Sequence, residues 1–376
     1  MIILDFTLNK EQEKFRNTVR QFCKTEVKPL AKRIDEDGIV PDELIGKMAQ
    51  FGLFGLPFDK KYGGNGSGFL LANIALEELA RASGGASLLV GINYLTSIPI
   101  DLHGNEEQKV RFITPLARGK AVGSMAFTEA ATGSDFGAIS TRAVLKGNEY
   151  IINGSKRFIT ASEMDGPIVF FARDGEKLSA FIGQKNMTGY KVPGQWKKLG
   201  LRGISLTDIH FKNYRVPEAN LLGESGNGAN ILRDTIAVGK LDTSAIILGC
   251  AQAALDEAIK YAKSRKVRGK PIAGFQTIQC LLSEMAASLE AARLMVYRLA
   301  TYVDLKKDVR VESAMVKMFV TEVASEVARK SMKVHGAYGY VTVLPIERIV
   351  RDIHAGEIIE GSNEIQRVIV AADLLK

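Results

Sequence analysis

Gly147-Asn148-Glu149-Tyr150-Ile151-Ile152 and Gly166-Pro167-Ile168-Val169-Phe170-Phe171 decide how this chain is read. Each places a turn signal directly before a run of β-branched and aromatic residues, the mark of a short strand. Leu178 to Ile182 repeats the pattern, and Ile209 and Phe211 alternate with polar neighbours. Strands at this spacing, with no helix between them, predict an antiparallel sandwich or barrel over residues 121–225.

Outward from that block the period changes. Upstream, residues 1–120 read as a helical domain. Phe15, Val19 and Phe22 recur at helical spacing, with Thr7 as the candidate cap and Glu11 and Glu13 in the first turns. Pro41-Asp42-Glu43 opens a second helix that ends near Gly52. Leu71, Ile74, Ala75, Glu78 and Leu79 mark a third, and further helical patterns run over 88–102 and 106–116. The glycine-rich stretch 62–68 lacks the Lys-Ser/Thr ending of a phosphate loop and reads as an interhelical connection. Downstream, residues 226–376 carry long helical patterns over 228–264, 275–303 and 311–335, joined by short links, which implies an antiparallel bundle. The expected class is α+β, mostly α, in the order helical, β, helical.

The chain has 376 residues, 46% hydrophobic and 24% charged, an ordinary globular composition. No apolar run reaches the length of a membrane span, and no signal peptide is seen, so a cytoplasmic location is expected. Cys23, Cys250 and Cys280 are far apart and read as reduced thiols. The four histidines form no ligand pair, so no metal is expected. The net charge of +8 is dispersed among acids, and no nucleic-acid motif is present. A phosphate-bearing ligand or a solvated surface fits that balance better than a nucleic acid does.

Five stretches carry candidate chemistry. Ile358-Ile359-Glu360-Gly361-Ser362-Asn363-Glu364 ends an apolar run in a carboxylate, followed by a glycine and a helix start at Ser362 or Asn363. An acid there is also simply favourable with the helix dipole. Met125-Ala126-Phe127-Thr128-Glu129-Ala130-Ala131-Thr132-Gly133-Ser134 lets backbone approach a flat or phosphorylated ligand, or is a plain loop. Phe158 and Thr160, two apart on a strand, suit stacking on a ring and bonding to its edge, or an amphipathic strand. Arg265-Lys266-Val267-Arg268 puts cations at a helix end, where they pair with the dipole or with a pyrophosphate. Lys333-Val334-His335-Gly336-Ala337 breaks the third bundle helix with a turn.

These stretches, in this order, resemble the acyl-CoA dehydrogenase family of flavoproteins over nearly the whole chain. Leu199-Gly200-Leu201-Arg202-Gly203 and Arg215-Val216-Pro217-Glu218 add to the likeness. The resemblance implies a C-terminal four-helix bundle and FAD bound between it and the β domain. Met125, Phe127, Thr128, Gly133, Ser134, Phe158, Ile159, Thr160, Ser362 and Glu364 would contact the cofactor. Arg265, Gln276, Lys333, Gly336 and Ala337 would reach it from a neighbouring subunit of a homotetramer, a dimer of dimers. Ser134, Gly91, Tyr94, Leu95, Lys240 and Gly361 would meet the substrate. The implied reaction is α,β-dehydrogenation of an acyl-CoA to the trans-2-enoyl-CoA. Glu360 would take the α-proton, the β-hydride would go to flavin N5, and electrons would pass to an electron-transfer flavoprotein. A flavin oxidase or monooxygenase, or a non-catalytic acyl-CoA-binding homologue, is the alternative on the same fold.

The chain departs from the family pattern at several points. Phe158 replaces a tryptophan, Lys333 a glutamine and Ala337 a glycine. Lys240 stands where arginine is usual, keeping the charge but losing the fork. Gly239 occupies a position where some relatives place an alternative catalytic glutamate, which leaves Glu360 as the base. The absence of Lys and Arg from Ala82 to Gln108 disfavours a glutaryl substrate.

Overall fold

The structure is a computed structural model that describes residues 7–376. Five helices open it: α1 Lys10–Phe22, α2 Ala31–Asp37, α3 Asp42–Phe51, α4 Gly68–Ala82 and α5 Gly84–His103. The cap of α1 is Asn9, not Thr7. Its carboxamide accepts from the Gln12 N–H at 2.9 Å, and the Gln12 side chain accepts from the Asn9 N–H at 2.9 Å. Two orphan N–H groups are satisfied reciprocally, which one threonine two residues earlier does not match. α3 starts at Asp42 behind Pro41 and stops at Gly52, whose φ of +84° ends the helix as the sequence predicts. The N-terminus of α4 is capped from the far end of the chain. The Asp304 carboxylate accepts from Phe69 N at 2.6 Å and Leu70 N at 3.1 Å.

Eight strands follow: β1 Ser124–Ala126, β2 Arg142–Lys146, β3 Glu149–Thr160, β4 Pro167–Asp174, β5 Lys177–Gln184, β6 Tyr190–Lys191, β7 Leu206–Pro217 and β8 Leu221–Leu222. They form one sheet in the order β6-β7-β3-β2-β4-β5-β8, with β1 also on β4. The expectation of a purely antiparallel layer needs correction, because β1 and β2 both run parallel to β4. Alternation along a strand reports which face is buried and says nothing of its neighbour's direction. Phe170, Phe181, Phe211 and Tyr214 fill the core of this layer.

The last third is helical: α6 Gly228–Ser264, α7 Gln276–Asp304, α8 Arg310–His335, α9 Ile346–Ile353 and α10 Asn363–Leu374. α6 is the central helix, packed by α4, α5, α7 and α8. A buried ion pair and a phenol on the same carboxylate tie the two helical layers together. Arg293 of α7 donates to Glu77 of α4 at 2.9 Å, and Tyr297 donates to the same carboxylate at 2.7 Å. By length and composition alone α5 and α6 pass as long and apolar enough to cross a membrane. Their apolar windows are 78% and 89% buried inside the fold, so that apolar surface is spent on the protein core.

Candidate active site

Glu360 closes the turn that follows α9. Its backbone is left-handed, φ +54°, a costly conformation for a residue with a Cβ. The turn is held from two helices. Lys317 of α8 donates to Gly361 O at 2.8 Å and to Asn363 Oδ1 at 2.9 Å, and Gln366 of α10 donates to Gly361 O at 2.9 Å. Gly361 itself is left-handed, φ +86°.

The chemistry lies in what this turn leaves unpaired. Glu360 Oε2 is buried with no hydrogen-bond partner. Among the described residues the Glu360 N–H donates to no acceptor either. Gly239 of α6 faces the carboxylate: a Cβ there would stand 3.2 Å from Glu360 Oε2 and 2.6 Å from Leu95 Cδ1. That missing Cβ lets α6 approach the turn, and it leaves no space for a second acid at 239. Burial pushes the Glu360 carboxyl up to about 7, while the Lys240 and then the Lys317 ammonium pull it back. Lys240 is itself buried, and desolvation lowers it to about 8 against the opposing pull of Glu360.

Glu360 lines a cavity of about 410 Å³. Leu88, Gly91 and Leu95 supply its α5 wall. Gly239, Asp242, Thr243 and Ile246 supply its α6 wall, and Phe158, Thr160 and Trp196 come from the β layer. Phe158 and Thr160 both line this cavity, but not as neighbours two apart on a regular strand. The β3–β7 register slips between Lys156 and Ile159, and Phe158 sits in that bulge at φ +58°. Its ring is 51% exposed and tilts against Trp196 at 5.5 Å.

The remaining expected residues separate into groups. Gly91 and Leu95 line the cavity, and a Cβ at Gly91 would meet Ile246 at 3.0 Å, so the glycine permits close helix packing. Tyr94 does not line it: the ring is fully buried against Phe58, and its hydroxyl donates to Leu53 O. One residue along a helix turns a side chain by about 100°, which here sends Tyr94 toward Phe58 and Leu53 and Leu95 toward the cavity. Ile159 sends its side chain into the β core and leaves only its main chain for a ligand. Met125 is buried, Phe127 and Thr128 are partly so, and Thr128 O accepts from Arg157 N at 2.9 Å, which sets this loop beside Phe158. Gly133 and Ser134 are exposed, off the cavity. Ser362 holds the N-cap position of α10 by backbone, and Glu364 follows in its exposed first turn. Arg265, Gln276, Lys333, Gly336 and Ala337 are exposed and line no part of the Glu360 cavity. There the Arg265 guanidinium lies 6.0 Å from the Tyr338 ring, and Tyr261 packs against His335.

Sequence reasoning missed Lys317, Asp242 and Trp196. Lys317 had a signal, a lone charge within an otherwise apolar helical stretch, and Asp242 a weaker one, an acid two residues after Lys240 in such a stretch; Trp196 had none.

A helical–β–helical fold holds a desolvated carboxylate against a largely apolar cavity beside an exposed aromatic residue, an arrangement that fits an enzyme site. Models of the acyl-CoA dehydrogenase N-terminal, middle and C-terminal domains match residues 9–120, 124–214 and 226–375. A short-chain-specific acyl-CoA dehydrogenase of Clostridium acetobutylicum is 37% identical over 379 residues, 99% of this chain and 100% of that one. The caffeyl-CoA reductase–Etf complex subunit CarC of Acetobacterium woodii is 38% identical, over 98% of this chain and 99% of its own. The solved butyryl-CoA dehydrogenase of Megasphaera elsdenii superposes with a TM-score of 0.96 at 32% identity, covering 99% and 100% of the two chains. The chain belongs to the acyl-CoA dehydrogenase family and is an oxidoreductase.

Proposed function

We propose that this protein dehydrogenates a short acyl-CoA thioester between its α- and β-carbons, with Glu360 as the base. The unpartnered, buried Oε2 of Glu360 carries this reading. A carboxyl raised to about 7 is matched to proton transfer at neutral pH. The unspent Glu360 N–H would donate to the thioester oxygen as negative charge gathers there, the role of an oxyanion donor. Lys240 and Lys317 favour the carboxylate form. Leu95, Ile246 and Ile359 keep water from the reacting carbons.

FAD is the cofactor of this family, and it supplies the acceptor for the hydrogen and electron pair leaving the β-carbon. The residues present fit it. Phe158 offers an exposed ring face and Thr160 a hydroxyl on the cavity wall, and open space surrounds Gly133 in the adjoining loop. Arg265, Gln276 and the Lys333–Ala337 turn would complete the site of a second copy in a homotetramer. The exposed Tyr340 and Val343 near that turn support such an interface. The names of the relatives support a short acyl chain and an electron-transfer flavoprotein as electron acceptor.

The decisive measurement is anaerobic bleaching of the flavin band of the FAD-loaded protein by a panel of acyl-CoAs. Bleaching by at least one short acyl-CoA is expected, and no bleaching by any of them overturns the assignment. Rapid oxygen consumption after bleaching would mark an oxidase instead.

A further inference from the structure

The acyl cavity contains a second buried acid that the reaction does not use. Asp242 lies three residues beyond Gly239 on α6, about 4.5 Å further along the helix axis. It is 3% exposed, lines the same cavity as Glu360, and neither of its carboxyl oxygens has a hydrogen-bond partner. Beside it stands Asn73 of α4, fully buried. Its Nδ2 donates to Phe69 O at 2.9 Å, which leaves its Oδ1 without a partner as well. The Asn73 amide offsets part of the burial of Asp242 but does not reach hydrogen-bond geometry. Of the other wall residues here, Gly91, Leu95 and Ile246 offer no polar side-chain atom, and Thr243 offers one hydroxyl that is not bonded to Asp242. The one nearby phenol, Tyr94, has already spent its hydroxyl on Leu53.

Both oxygens of a cavity-lining carboxyl thus stand without a hydrogen bond, and the Asn73 Oδ1 behind them has none either. Buried polar atoms without partners are rare, because each forfeits the bonds it made to water. Burial raises the Asp242 carboxyl well above the usual range, and Glu360 adds to that. Even with one proton retained there, the cluster has more acceptors than donors. An unbranched saturated acyl chain would leave every one of them unpaired.

We infer that Asp242, with Asn73, selects acyl-CoA thioesters whose acyl chain carries a hydrogen-bond donor, a hydroxyl or an ammonium, near the carbon after the β-carbon. The geometry sets the position. The base must lie at the α-carbon, and Asp242 stands about 4.5 Å further along α6 than the residue facing that base, the reach of a substituent on the fourth acyl carbon. Asp242 is then a specificity-determining residue that never touches the reacting bonds. This inference rests on the dehydrogenation reading above, and the following measurements separate the two.

Butyryl-CoA, 4-hydroxybutyryl-CoA and 4-(dimethylamino)butyryl-CoA are compared by anaerobic flavin bleaching of the FAD-loaded wild type, Asp242→Asn and Asp242→Leu proteins. Their dissociation constants are measured by calorimetry on the Glu360→Gln variant, which binds without turning over. One of the donor-bearing thioesters should exceed butyryl-CoA in kcat/KM by at least about tenfold in the wild type, the scale of one hydrogen bond to a site that otherwise stays unpaired. Asp242→Leu should reverse that order. Asp242→Asn should keep a preference for the hydroxyl but lose one for the cation, which identifies the donor. A wild type that prefers butyryl-CoA, or an order unchanged by Asp242→Leu, overturns the inference while leaving the dehydrogenation reading intact. If no thioester bleaches the flavin, that reading falls, and the order of dissociation constants alone decides for or against Asp242. Should Asp242→Leu fail to fold, the wild-type order and Asp242→Asn still decide it.

Discussion

Two buried glutamates, Glu129 and Glu360, show how little burial alone says about an acid. Glu129 sits under the loop beside Phe158 and is fully answered. It accepts from Ser140 N and Thr141 N at 2.8 and 3.0 Å, from both hydroxyls, and from Lys156 Nζ at 2.8 Å. Despite its desolvation these partners, Lys156 foremost, hold it down at about 2. Glu360 is half-buried as a residue, but its Oε2 is buried without a partner, and desolvation raises it to about 7. The first is a fixed charge that braces a loop. The second carries an unmet need that a substrate proton can satisfy.

The sharpest way to break this contrast is to remove each acid in turn. Glu129→Ala should cost about 3–5 kcal/mol of stability, because Lys156 would be left buried and unpaired. Chemical denaturation measures it, and a loss below about 1 kcal/mol would show that the pair braces nothing. Glu360→Gln should do the opposite, with a melting temperature at neutral pH that is equal or higher. Its turnover should fall at least about a hundredfold, or about 2.7 kcal/mol of barrier. Near-normal turnover in a protein that keeps its flavin would remove Glu360 as base.

The pH dependence sharpens the same comparison. The Glu129 carboxylate is held below its ordinary 4.5, so its contribution is complete above pH 4.5 and is lost as pH falls toward about 2. The Glu360 carboxyl is raised, so its contribution is complete below pH 4.5 and is lost as pH rises toward about 7. Proton abstraction needs the ionised form. The kcat/KM of dehydrogenation should therefore climb about tenfold per pH unit below about 7 and level off above it. A flat profile between pH 5 and 8 would contradict the assignment. The smallest effect belongs to Lys240→Met. Removing that cation should move the midpoint upward by about one unit, the usual pull of one neighbouring charge. Lys240→Arg should leave the midpoint in place, which distinguishes charge from packing.

Much of this was legible in the chain itself. The change from helical to alternating periodicity and back fixes the order of layers, because those periods are local properties of the backbone. The bounds of α6 follow from a long stretch free of proline. Glu360 and the Phe158–Thr160 pair are visible as short motifs. What escaped are the contacts that depend on how distant segments meet. That β1 and β2 run parallel to β4, that Tyr94 turns away from the cavity while Leu95 faces it, and that Ile159 points into the β core follow from packing. Lys317 and Glu360 lie 43 positions apart and meet only because α8 passes under the turn. Asp242 reads along the chain as one acid in an apolar helix. It becomes a feature of the acyl cavity only because α4, α5 and the Glu360 turn close around α6 and leave its oxygens without partners. A sequence specifies which groups exist and their local period; only the tertiary structure decides which of them are left unsatisfied, since that depends on every neighbour at once.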